Sequence, residues 1–303
     1  MEYSFIEPGW AVLVHTPVQE IKQDDVPKIT ELLVNNVVVS WKKQNLTMKE
    51  QHDFCEMFGS LHKRFDPKDW DTLDDKMKAV HYRDYPGIWR VTGEPDKKGH
   101  AGLFGHDEEL AWHNNQPYRY DRKPFVWLYG EKGTKGSVTK WTNQMLAYDD
   151  LTQEKKDEYA DLEIQFGDNR KYVDESSIIR KFRENFVREE LKKNLRHKLV
   201  VTNPYGRKGL NITPYQTHWI SGMSEEQVVK FTDELLEYID QPKYVYTHHW
   251  DDGDVVIAEQ VTSIHKREAF YGMRQRVLHR IAFSPDNVFP DGLPYEGYRG
   301  NLK

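Results

Sequence analysis

Five short segments constrain the fold of this chain more than anything else in it. They are KPFVWLYGE (123–131), KLVVTNP (198–204), KYVYTHHW (243–250), GDVVIAEQ (253–260) and RVLHRIAF (276–283). Each is rich in β-branched and aromatic residues and bounded by Gly, Pro, Asn or Asp, so each predicts a strand. Short strands of this kind need a second layer to cover their apolar face. Helical periodicity falls mainly elsewhere. DDVPKITELLVNN (24–36) puts Ile29, Leu32 and Leu33 on one face and leads into a buried strand, VVVSW (37–41). LTMKEQHDFCEMFGSL (46–61) opens with Thr47 and Glu50 at capping-box spacing and stops at Gly59. GMSEEQVVKFTDELLEYID (222–240) repeats the device with Ser224 and Gln227. The charge-dense region 150–198 predicts solvated amphipathic helices. The expectation is a mostly β protein with helical insertions, a β-sandwich or jelly roll. With no repeat or Pro/Gly/Ser linker, residues 1–303 read as a single domain.

Composition narrows the function. Hydrophobic residues are 38% of the chain, but aromatics are 13%, enough large side chains for a sizeable core. A net charge of −6 supplies no basic field for nucleic acid. No run approaches the roughly 18 apolar residues of a membrane helix. One cysteine, Cys55, excludes an internal disulfide, and the start of the chain has no signal-peptide pattern. These features predict a cytoplasmic protein acting on a small molecule, with neither nucleic acid nor membrane as partner. They leave a homo-oligomer open.

Most of the thirteen histidines are expected to be ordinary, His52, His81, His218, His248, His249 and His279 among them. His113 and His265 stand apart by their company. His113 precedes Asn115 in LAWHNNQPY, and His265 follows the strand GDVVIAEQ. Arg276 lies eleven positions after His265 and Arg280 four further on. In strand alternation 276, 278 and 280 share one face, opposite 277, 279, 281 and 283. Two arginines facing the interior of a β-sandwich are costly unless they meet anions.

Five ordered segments, EELAWHNNQPY among them, resemble the taurine dioxygenase family of Fe(II)/2-oxoglutarate oxygenases. The others are LTMKEQHDFCEMFGSL, GSVTKWTNQMLAYDDLTQEKK, NPYGRKGLNITPYQTHWISGMSEEQ and WDDGDVVIAEQVTSIHKREAFYGMRQRVLHRIAF. The resemblance implies a double-stranded β-helix, the cupin-like jelly roll. It implies that His113 and His265 are the imidazole ligands of Fe(II), with Asn115 where the family carries Asp. Thr139 and Arg276 would hold 2-oxoglutarate. Arg280 and Glu109 fall at substrate positions, and Asn143 reads as structural. Two imidazoles and a carboxylate on one face of Fe(II) leave sites for the keto acid and O2. The long stretch 85–112 reads either as a loop able to close over the site or as a plain surface loop.

The expected activity is oxidation, most simply hydroxylation, of a small polar metabolite, anionic or amino-acid-like, with 2-oxoglutarate decarboxylated to succinate. Asn115 leaves four readings: a working enzyme in which the carboxamide oxygen binds iron or leaves room for water, a vacancy for halide, substitution by a carboxylate such as Glu259, or a non-catalytic anion-binding protein. Halogenating relatives carry the smaller Gly or Ala at this place, which counts against the second.

Overall fold

The computed structural model describes residues 1–94, 107–115, 117–119, 122–167, 195–273 and 275–298. Two sheets face each other. The larger has eight strands in the order Tyr3–Ile6, Ala11–Val14, Val38–Trp41, Val255–Glu259, Phe125–Lys132, Val277–Phe283, Tyr85–Thr92 and His81–Tyr82. The smaller has four: Val245–His249, Val138–Thr142, His265–Arg267 and Leu110–His113. All named pairs are antiparallel except Ala11–Val14 against Val38–Trp41. This is the strand-rich jelly roll with helical additions that the sequence predicts.

Alternation decides what each face buries. Along Val277–Phe283, Ile281 and Phe283 join a core with Phe125, Trp127, Val255 and Ile257. That core is closed by the helices Val26–Asn36 and Met48–Phe58, through residues such as Ile29, Leu33, Phe54 and Phe58. Leu278 turns the other way, into a second core with Val256 and Ala258 and with Trp141 and Tyr246 of the smaller sheet. Arg276 and Arg280 share the parity of Leu278, so the strand points both towards the space between the sheets. A third cluster seats the helix Glu225–Ile239, through Val228, Leu235 and Ile239, against Ile164, Phe166 and Ile264.

Both expected capping boxes are present. Thr47 and Ser224 accept from the backbone N–H groups of Glu50 and Gln227, whose side chains return to the cap residues. Gly59 ends its helix at φ +147, and a Cβ there would lie 2.6 Å from the Asp286 backbone nitrogen, which bars any other residue without a backbone shift. Asn143 is structural, its Oδ1 accepting from Met145 and Leu146 at the start of the helix Gln144–Asp149.

Two expectations differ from what is found. Residues 85–92, read as part of a loop, form a strand of the larger sheet, paired to Val277–Phe283. Pro86 and Gly87 sit at the irregularity in its pairing with His81–Tyr82, which is how the sheet accommodates them. Of the lid expected at 85–112, residues 95–106 lie outside the described residues. Within 150–198, Gln153–Tyr159 is the expected helix, but Glu163–Phe166 is a strand, with Ile164 and Phe166 buried and Glu163 and Gln165 half-buried. The stretch 168–194 lies outside the described residues. Among the described residues no helix is long and apolar enough to cross a membrane.

Candidate active site

The smaller sheet brings the two singled-out histidines together. His113 ends the strand Leu110–His113, His265 begins His265–Arg267, and the antiparallel register sets them opposite each other. Their ring centroids are 4.2 Å apart. His113 Nδ1 lies 2.7 Å from the Ala111 carbonyl. A carbonyl only accepts, so Nδ1 carries the hydrogen and Nε2 keeps the lone pair that a metal would use. His265 stacks on Trp141 at 6.4 Å. Burial pushes its imidazole well below the ordinary histidine value, and His113 and Arg280 push the same way. A neutral imidazole is the form that ligates a metal.

Asn114, 3% exposed, ties these strands together. Its Nδ2 donates to the Gln260 carbonyl and, at 3.0 Å, to that of Ser263, in the turn leading to His265. Its Oδ1 accepts from the Asn115 N–H at 2.7 Å. The Asn115 side chain donates Nδ2 to Gln260 Oε1 at 2.8 Å. Glu259 does not supply the missing carboxylate. It is fully buried and its oxygens accept from the N–H groups of Val261 and Thr262 and from the Thr262 hydroxyl. Among the described residues the only three His, Cys, Asp or Glu side chains close enough to share a cation are His52, Asp53 and Glu56, on the helix Met48–Phe58. That group includes neither His113 nor His265.

Arg276, 3% exposed, is buried just before the strand Val277–Phe283. Its Nε donates to Ser137 Oγ at 3.0 Å, and its guanidinium packs on Phe270 at 4.9 Å. Ser137 is held in turn by donating to the Thr134 carbonyl at 2.8 Å. The turn beneath uses Gly133 at φ +61, where a Cβ would come within 3.1 Å of the Gln275 carbonyl. Burial lowers the Arg276 guanidinium, and the Arg267 cation adds to this, to about 9, so it is charged at neutral pH. Among the described residues no carboxylate pairs with it. Thr139 stands near, its Oγ1 accepting from Trp250 Nε1 at 2.9 Å. That bond orients the hydroxyl and leaves its hydrogen to donate elsewhere.

Arg280 stacks on Trp89 at 5.4 Å and lines a cleft with Asn115, Gln260, Arg122 and Lys123. Burial, then the Arg64 charge, lowers its guanidinium to about 10. Glu109 is exposed just before the strand that ends at His113. The structure thus sets His113 and His265 face to face, lines one cleft with Asn115 and Arg280, and places Thr139 two residues from Ser137, the partner of Arg276, while Glu109 lies at the surface. Reading the sequence missed Arg267, two residues beyond His265 on the same strand face and opposite Thr139 in register. Alternation could have found it. Nothing in the sequence points to Trp250, Asn114 or Gln260, whose contacts span 100 residues or more.

A cupin-like jelly roll carrying paired imidazoles and a buried arginine that no described carboxylate neutralises is the scaffold of a keto-acid-dependent oxygenase. The family of taurine catabolism dioxygenases, TauD and TfdA, matches residues 11–282, and the chain belongs to it. Its members are Fe(II)/2-oxoglutarate-dependent dioxygenases, oxidoreductases that consume O2. Pentalenolactone F synthase from Streptomyces arenae is 23% identical over 207 residues, 62% of this chain and 64% of that protein, so the match spans under two thirds of this relative. The α-ketoglutarate-dependent 2,4-dichlorophenoxyacetate dioxygenase of Cupriavidus pinatubonensis is 22% identical over 87% of this chain and 90% of its own length. The crystal structure of AAD-2 with Mn(II) and N-oxalylglycine superposes with a TM-score of 0.67 at 17% identity, covering 93% of this chain and 97% of that one.

Proposed function

We propose that His113, His265 and the Asn115 carboxamide oxygen hold Fe(II), and that Arg276 and Thr139 hold 2-oxoglutarate beside it. The substrate is a small polar molecule with an anionic group, lying in the cleft of Arg280. The observation that carries this is Arg276: a desolvated guanidinium with no carboxylate beside it among the described residues. Such a group is destabilising by itself and is relieved by a bound anion. The donor set fits the metal as well, with two imidazoles and one oxygen side chain.

When bound, Fe(II) with 2-oxoglutarate and O2 supplies the oxidising power that functionalises a substrate C–H bond, while 2-oxoglutarate leaves as succinate and CO2. The chain's own residues do the rest. The hydrogen bond from His113 to Ala111 fixes the ring and its tautomer. Ser137 aims the Arg276 fork, and Trp250 leaves the Thr139 hydroxyl hydrogen to donate to a 2-oxoglutarate carboxylate. Arg280 and Trp89 orient the anionic end of the substrate, which converts an encounter into a positioned reaction. Taurine and 2,4-dichlorophenoxyacetate, named for the family and for one relative, both carry an anion, which supports this class. Hydroxylation is favoured over halogenation because an Asn side chain is larger than the Gly or Ala that halogenating relatives carry at this place.

The test supplies Fe(II), ascorbate, O2 and 2-oxoglutarate with a panel of small sulfonates and carboxylates, and follows succinate. Succinate above that of His113→Ala is expected. Equal, background-level succinate from both proteins across the panel would refute the catalytic reading and leave an anion-binding protein.

A further inference from the structure

A carboxamide has a wrong end. Its oxygen can bind a cation, whereas its NH2 group repels one. An asparagine in a metal site therefore has to be told which way to face, a problem a carboxylate, with two equivalent oxygens, does not have. The contacts around Asn115 fix its orientation through a relay. The Lys123 carbonyl can only accept. Gln260, 3% exposed, donates its Nε2 to that carbonyl at 3.0 Å. This leaves Oε1 as the end that Gln260 turns to Asn115. Since Oε1 only accepts, Asn115 must offer Nδ2, and it does so at 2.8 Å. Oδ1 is left on the other branch of the amide.

Gln260 is held at its backbone as well as its side chain. Its N–H donates to the Pro124 carbonyl at 2.9 Å. Its carbonyl accepts from Asn114 Nδ2 and, at 3.1 Å, from Arg122 Nη2. Rotating its amide by half a turn would set Oε1 against the Lys123 carbonyl and Nε2 against Asn115 Nδ2. Both contacts would become repulsive, so the relay has one low-energy sense.

We propose that Gln260 is a positioning residue that aims the Asn115 oxygen at the metal, so that the site is built for a neutral carboxamide ligand. This rests on the reading that residue 115 faces the metal. Its consequence is a coupling between positions 115 and 260. With Asn at 115, loss of the Gln260 acceptor frees the amide to present either end. With a carboxylate at 115, either end serves and the relay has no task.

The experiment measures Mn(II) affinity, from the electron paramagnetic resonance signal of the free ion, with 2-oxoglutarate present and O2 absent. Four proteins are compared: wild type, Gln260→Met, Asn115→Asp and the double variant. Gln260→Met is expected to weaken Mn(II) binding about tenfold or more beside Asn115, the usual cost of losing an outer partner of a ligand. In the Asn115→Asp background it should change binding by less than about threefold. A purely structural role for Gln260 would lower affinity equally in both backgrounds, and that result overturns the proposal, as does no loss in either. If Gln260→Met does not fold, Gln260→Glu serves instead. It keeps an acceptor for Asn115 Nδ2 while giving up the bond to Lys123, so it should hold wild-type affinity, and a loss of about tenfold there also overturns the relay. His113→Ala separates the two levels: wild-type Mn(II) affinity in that variant means that the metal site itself is misassigned.

Discussion

Arg276→Ala is the perturbation whose size the structure sets most clearly. The guanidinium is 3% exposed, bonded through Nε to Ser137 at 3.0 Å and stacked on Phe270 at 4.9 Å. Among the described residues it has no anionic partner, so the distal carboxylate of 2-oxoglutarate would be its counter-ion. Truncating one side of a buried, hydrogen-bonded charge pair costs about 2–5 kcal/mol. At about 1.4 kcal/mol per decade, the dissociation constant of 2-oxoglutarate should rise by a factor of about 30 to a few thousand. The same burial predicts a stability effect of opposite sign. Arg276→Met keeps an apolar stem and removes a desolvated cation, so without 2-oxoglutarate it should unfold at or above the wild-type midpoint. Because burial and Arg267 lower the guanidinium to about 9, wild-type affinity should be flat across neutral pH. It should weaken only as pH climbs through that value and the cation is lost. Anaerobic calorimetric titration with 2-oxoglutarate in the presence of Mn(II) reads these effects. An Arg276→Ala dissociation constant within threefold of wild type would refute the assignment of Arg276 as the keto-acid anchor.

Two further outcomes follow from buried polar groups near the site. Asn114→Ala removes two donated bonds and one accepted bond and leaves the Ser263 carbonyl and the Asn115 N–H short of partners. At about 1 kcal/mol per bond it should cost about 3 kcal/mol, read as a lower urea midpoint, whereas an unchanged midpoint would mean the staple contributes nothing. Burial raises the Glu259 carboxyl from 4.5 to about 7, against hydrogen bonds from Thr262 and Val261 and the charge of Arg122. Its folded value lies above its unfolded one, so its contribution is present below about pH 4.5 and lost as pH rises through about 7. Glu259→Gln should flatten the stability-against-pH curve across that window by on the order of 2–3 kcal/mol, and identical curves for the two proteins would contradict the raised value.

The parts of the fold that could be read from the chain are those set by local pattern. Period-two alternation placed Arg276 and Arg280 on the face opposite Ile281 and Phe283, and the cores divide along that line. Capping boxes marked the starts of Met48–Phe58 and Glu225–Ile239 correctly because the signal lies within four residues. Tyr85–Thr92 was hidden because Pro86 and Gly87 imitate a loop, and only its neighbour Val277–Phe283 makes it a strand. Glu163–Phe166 was hidden inside a charged stretch, although Ile164 and Phe166 already alternate with Glu163 and Gln165. Motif spacing singled out His113 and His265, and the register sets them face to face. The groups that orient these side chains were not legible. Gln260, Asn114, Trp250 and Ser137 act by hydrogen bonds across long sequence separations, and such bonds leave no periodic trace.

We propose one metal site formed by His113, Asn115 and His265 and completed by 2-oxoglutarate on Arg276. Its most direct test is the stoichiometry of anaerobic Fe(II) binding with 2-oxoglutarate present, compared between wild type and His265→Ala. One Fe(II) per chain is expected in wild type, bound more tightly with 2-oxoglutarate than without, and no such site in His265→Ala. One equivalent bound with equal affinity by both proteins would contradict it.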